Sequence, residues 1–167
     1  MLETSFDKLP DSARVWVYGA DRNLGNVAEG ELVAEVDNYL TNWTAHGVPL
    51  SAARDWQHGR FLTIAVDQER AGASGCSIDG LFRTLKLLEQ RLGASFITSG
   101  LIFFRGKDGE IRSVTRDEFG DLGVSGEVDS DTEVYDLSVT TLGEWRSRFS
   151  SRAGDSWHST LLAARAG

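Results

Sequence analysis

The chain has 167 residues, 41% hydrophobic and 25% charged, with only two prolines. That apolar fraction suffices for a packed core, which excludes a disordered tail or a pure linker. The length fits one compact domain, or a domain of about 100 residues with a smaller partner. Seventeen basic against twenty-five acidic side chains give a formal charge of −8. A duplex-binding surface needs clustered cations to displace phosphate counterions, and no run of Lys or Arg occurs, so nucleic acid is not an expected partner.

Cys76 is the only cysteine. It excludes an intrachain disulfide and zinc held by four thiolates. The first residues, MLETSFDKLPDSARVW, show neither a basic n-region nor an apolar h-region, and no apolar run approaches the ~20 residues of a bilayer span. The expectation is a soluble cytoplasmic protein with no membrane partner, no cofactor and no metal.

Residues 14–18, Arg-Val-Trp-Val-Tyr, are β-branched and aromatic, as in a strand buried on both faces. A polar connection from Gly19 to Gly30 follows. Leu32, Val33, Val36, Tyr39, Leu40 and Trp43 then recur at helical spacing and predict a helix near 29–44, stopped by Gly47 and Pro49. Residues 51–57 alternate weakly and carry Arg54 and Asp55, which suits an edge strand. His58-Gly59 reads as a tight turn before the second apolar run, Phe61 to Val66. After a loop from Asp67 to Gly75 comes the clearest element. Ile78, Leu81, Phe82, Leu85, Leu88 and Leu92 share one helix face, with Asp79, Arg83, Lys86 and Glu89 opposite, and Gly93 ends the helix.

With a further strand at 101–105, the order is the ferredoxin-like βαββαβ pattern. The first and third strands, apolar throughout, are expected at the centre of the sheet and the polar second strand at its edge. The fold class read here is α+β: a ferredoxin-like sandwich over 1–98 with a small C-terminal α+β extension over 99–167. The alternative is another α+β sandwich with the same two helices on one sheet face.

In the extension, residues 101–104 and 110–114 flank Lys107-Asp108-Gly109 as a hairpin. Thr115 to Glu118 and Thr141 to Glu144 each fit a capping box. Residues 132–139 read as a strand, and Ser156-Trp157-His158 as the anchor of a terminal helix with Leu161 and Leu162. Residues 101–146 resemble the bacterial GYF-like adaptor domains, although the namesake Gly-Tyr-Phe triplet is absent. That resemblance implies binding of a peptide or protein partner through Phe103, Phe104, Tyr135 and Trp145.

Asn42-Trp-Thr-Ala-His-Gly47, Ala73-Ser-Gly-Cys-Ser-Ile-Asp79 and Ser156-Trp-His158 together resemble a bacterial family of short proteins often labelled "ABC transporter ATPase". The likeness covers nearly the whole chain and implies no particular reaction. ATP hydrolysis of that class needs G-x-x-x-x-G-K-[ST]. Here Gly100 to Gly106-Lys107-Asp108 has five intervening residues and an Asp in place of the hydroxyl. The chain is not an ATPase of that kind.

The assumed topology brings the end of the first helix (His46), the end of the third strand (Asp67) and the start of the second helix (Cys76) to one edge. Unpaired amides and the helix dipole lower a thiol's pKa at such a position. Cys76 with His46 would then form a thiolate–imidazole pair, oriented by Asp67 or Asp79, while Gly72, Gly75 and Ser77 would hold a small anion. Cys76 as a small buried hydrophobe and His46 as a helix cap are the structural alternatives. Three functions follow from the residues: a thiol or small-anion site, a non-catalytic adaptor, or a binding domain for a metabolite with no chemistry. No enzyme class is assigned.

Overall fold

A computed structural model of the chain describes residues 6–45, 48–49, 51–67, 75–96 and 100–166. After a 3-10 turn at Phe6–Lys8 come β1 (Arg14–Gly19), α1 (Asn26–Thr41) and the two-residue strands β2 (Thr44–Ala45) and β3 (Val48–Pro49). Then follow β4 (Ala52–Gln57), β5 (Phe61–Val66), α2 (Gly75–Leu92), β6 (Leu101–Arg105), β7 (Ile111–Thr115) and α3 (Arg116–Ser125). The chain continues through β8 (Glu133–Tyr135), α4 (Leu142–Arg148), β9 (Ser150–Arg152) and α5 (Ser159–Ala166). Helices and antiparallel sheets together make the protein α+β.

The first sheet has the order β1-β5-β4, with Val17 and Asp55 both opposite Thr63. All six residues of the central strand β5 are buried, because both faces of the sheet are covered. Leu62, Ile64 and Val66 pack with Leu32, Val36 and Leu40 of α1 and Leu81, Leu85 and Leu88 of α2. The alternate residue Ala65 packs with Phe6, Val15, Ala53, Val139 and Leu142 on the other face. The β4–β5 turn is made by His58 and Gly59, at φ 59° and 65°, with Arg60 N donating to Gln57 O at 3.2 Å. Two positive φ values in a two-residue loop match the right-handed twist of the flanking strands. Arg54 grips Asp37 through both carboxylate oxygens (2.7 and 3.0 Å), and Trp56 Nε1 donates to Glu29 at 3.0 Å, so α1 is tied to β4.

This sheet departs from the four-stranded expectation. Three strands keep the first-third-second order of a ferredoxin-like sheet, with β4 at an edge as expected, but β1 is at the other edge rather than central. Its outer side is met by a non-strand segment: Val15 N donates to Thr140 O at 3.0 Å, and Arg14 bridges Thr141. Residues 101–105 therefore belong elsewhere. With less cover, Val17 is only half-buried. On α2, Phe82 is 39% exposed at the flank of the apolar face, with the Lys86 ammonium 5.8 Å from its ring.

The second sheet has the order β7-β6-β8-β9. The β6–β7 hairpin pairs Leu101 with Thr115 and Arg105 with Ile111, and Gly109 turns it at φ 86°. Thr115 Oγ1 accepts from Glu118 N at 3.1 Å while Glu118 Oε1 accepts from Thr115 N at 3.0 Å, completing the capping box of α3. Thr141 and Glu144 do the same for α4. The strand expected over 132–139 stops at Tyr135, because the Asp136 carboxylate accepts the Ser138 amide (2.9 Å) and hydroxyl and folds the backbone into a turn. Ile102, Phe104, Phe119, Val128, Val134 and Ala153 form the core between this sheet and α3 and α5.

Aromatic rings join the two sheets. Phe61 lies 5.3 Å from Phe103 and 4.9 Å from Tyr135, centroid to centroid, and Phe149 closes the cluster.

Candidate functional site

Cys76 and Ser77 lie in the first turn of α2, directly after Gly75. Asp79 is exposed on the same helix, and Asp67 follows β5 with its amide donating to Ser51 O at 2.9 Å. His46 and Gly72 lie outside the described residues, as do the side chains of Cys76 and Ser77.

Of the four aromatics assigned to a partner surface, three are core residues and the fourth, Trp145, lies at the margin of the core. Phe103, Phe104 and Tyr135 are 0–2% exposed, and Trp145 is half-buried, stacked on Phe149 at 5.6 Å. They fill the space between the sheets and under α3, where hydrophobic area leaves water, so they offer no exposed aromatic patch. Tyr135 also ends in a polar knot. Its hydroxyl donates to Glu133 Oε2 (3.0 Å) and accepts from Arg105, and burial together with the Glu133 carboxylate raises the phenol to about 12.

Where the end of β1 meets β6 and the start of α5, the packing leaves a cavity of about 340 Å³. Its walls include Tyr18, Leu101, Leu137, Arg116, Trp157 and His158. Gly19 is required beside it: a Cβ there would lie 2.6 Å from Phe103 Cζ and 2.9 Å from Leu137 Cδ2. Burial raises the Tyr18 phenol to about 12, so this hydroxyl stays neutral across the physiological range.

His158 is 1% exposed. Ser156 Oγ accepts its backbone amide at 3.1 Å and sits 2.7 Å from its Nδ1, which fixes the ring at the entry to α5. The Ser156 hydroxyl also reaches Ala153 O at 3.3 Å and so closes the turn before α5. Trp157 stacks on His158 with centroids 4.0 Å apart. Burial lowers the imidazole to about 4, with Asp136 opposing and Arg116 assisting, so the ring is neutral at physiological pH. His158 Nε2 and Trp157 Nε1 are shielded from water and have no hydrogen-bond partner among the described residues.

The charges around the cavity leave one cation uncompensated. Asp136 is bonded to Arg148 at 2.8 Å and to Ser138. The exposed Arg116 places its guanidinium carbon 5.3 Å from the Trp157 ring centroid, and none of the ion pairs among the described residues includes it. A cation attracted to the face of an indole engages it through its charge, which leaves its hydrogen-bond donors available.

Sequence reasoning placed Ser156-Trp157-His158 correctly at the start of the terminal helix but not in a cavity wall. A serine two residues before a histidine signals the local turn; that β1 and β6 come within reach of it is written nowhere in the local pattern. Among the described residues no group of three His, Cys, Asp or Glu is arranged to hold a metal, and no helix is long and apolar enough to cross a membrane. Compared with protein-family models, curated proteins and solved structures, the chain matches none.

Proposed function

We propose that this protein binds a small molecule in the cavity between β1, β6 and the start of α5, without performing chemistry on it. The frame is read as a ferredoxin-like unit lacking its fourth strand, with the C-terminal unit supplying the other wall. The observation that carries the reading is the wall itself: a 340 Å³ space with a mostly apolar lining, a fixed neutral imidazole and one arginine without a carboxylate. Binding pockets combine apolar walls with a few placed polar groups in this way, at volumes of about 300–1,000 Å³. The adaptor reading has less support, because three of its four aromatics, Phe103, Phe104 and Tyr135, are buried.

The test is an NMR screen of the full chain against small aromatic fragments. Binding is expected to shift resonances of Tyr18, Leu101, Ile102 and His158 together. Leu137→Trp, which fills the cavity from one wall, should abolish those shifts while keeping the rest of the spectrum. Shifts that persist in Leu137→Trp, or a complete lack of shifts in the wild type, would reject the cavity as the binding site.

A further inference from the structure

Resting on that reading, we infer that the ligand is an apolar monocarboxylate whose carboxylate is taken by Arg116. The argument begins with charge. The chain has 25 acidic and 17 basic side chains, so an arginine finds a carboxylate easily. Among the described residues Arg22, Arg54, Arg91, Arg105, Arg112, Arg146, Arg148 and Arg152 do so; Arg14, Arg60, Arg83 and Arg116 are in none of these ion pairs, and of those four Arg116 alone lines the cavity. Arg116 stands over Trp157 instead, at the cavity. A guanidinium presents paired donors that match the two oxygens of a carboxylate.

The remaining wall sets the rest of the ligand. Asp136, the buried acid of this region, is neutralised by Arg148, and both His158 and the Tyr18 phenol are uncharged at neutral pH. Arg116 is thus the one group there with an unmet charge, which favours one negative charge and disfavours a dianion. Val17, Leu101, Ile102 and Leu137 offer hydrocarbon to the body of the molecule. His158 Nε2 and Trp157 Nε1 are shielded from water, so these rings present their faces and edges rather than a free N–H to the cavity.

Two probes of the same shape separate the charge from the cavity: 2-naphthoate and its neutral counterpart 2-naphthalenemethanol, each titrated into the full chain by NMR. Naphthoate is expected to shift Tyr18, Ile102 and His158 and to bind at least tenfold more tightly than the alcohol, since a hydrogen bond to a charged group is involved. Arg116→Gln should remove that advantage and leave the alcohol unchanged, and Arg116→Lys should restore part of it. Arg116 is exposed, so both variants should keep the wild-type amide spectrum elsewhere. Equal binding of the two probes, or naphthoate binding insensitive to Arg116→Gln, overturns the carboxylate inference while leaving the cavity as a site. Failure of both probes to shift the cavity residues overturns the cavity reading itself.

Discussion

The indole Nε1 of Trp145 donates a hydrogen bond of 3.0 Å to the hydroxyl of Thr63, 82 residues earlier in the chain. Thr63 is fully buried in the middle of the central strand β5 and is the one polar residue of that strand. The bond lets a hydroxyl sit inside the sheet face that α4 covers, and it anchors α4 to that face.

Thr63→Val keeps the shape and removes the acceptor, stranding the Trp145 N–H away from water. A loss of about 1–3 kcal/mol is expected in urea unfolding. In Thr63→Val with Trp145→Phe neither partner remains, so the double variant should lose less than the sum of the singles. Strict additivity would show that the bond contributes nothing.

His158 sets a pH dependence. Its folded pKa, about 4, lies below the 6.5 of an exposed imidazole, so the unfolded chain binds the extra proton first. The stabilising contribution is complete above about pH 6.5 and is lost as pH falls toward 4, to the extent of about 3 kcal/mol. Chemical denaturation across that window should show the slope, and His158→Phe should flatten it. An unchanged slope in the variant would place the dependence in other groups.

Gly19→Ala should be destabilising by about 1–3 kcal/mol even though its backbone accepts a side chain, because the new methyl collides with Phe103 and Leu137. Thermal unfolding with a shift of the Phe103 ring resonances is the readout. Wild-type stability would mean that these two side chains have room to move.

The caps make two further tests. Thr115→Ala and Thr141→Ala should each cost about 1 kcal/mol by denaturant unfolding. Glu144 is held down to about 2 by Arg148 and by the Thr140 and Thr141 groups it caps. A depressed folded pKa stabilises above the unfolded value of about 4.5 and is lost as pH drops through about 2, so Glu144 should titrate in the folded protein well below an ordinary glutamate. A carboxyl NMR titration reads this directly, and Arg148→Gln should raise the value.

The local code of the chain was legible wherever one residue and its near neighbours decide the outcome. The period of Leu81, Leu85 and Leu88 marks α2, the run 61–66 marks a strand buried on both faces, and Thr115 with Glu118 marks the start of α3. These follow from backbone geometry and side-chain period, which act over a few residues. Which strand lies beside which depends on contacts distant in sequence, and there the reading parted from the structure. The edge of β1 could be met either by residues 101–105 or by the segment at 140–141, and nothing within either stretch ranks the two. Tertiary packing chose the second, freeing β6 to start a new sheet. That same choice buried Phe103 and Tyr135 between the sheets and Phe104 under α3, and left the cavity in which Arg116, Trp157 and His158 meet. A cavity is a remainder of packing between elements far apart in the chain, so no local pattern encodes it.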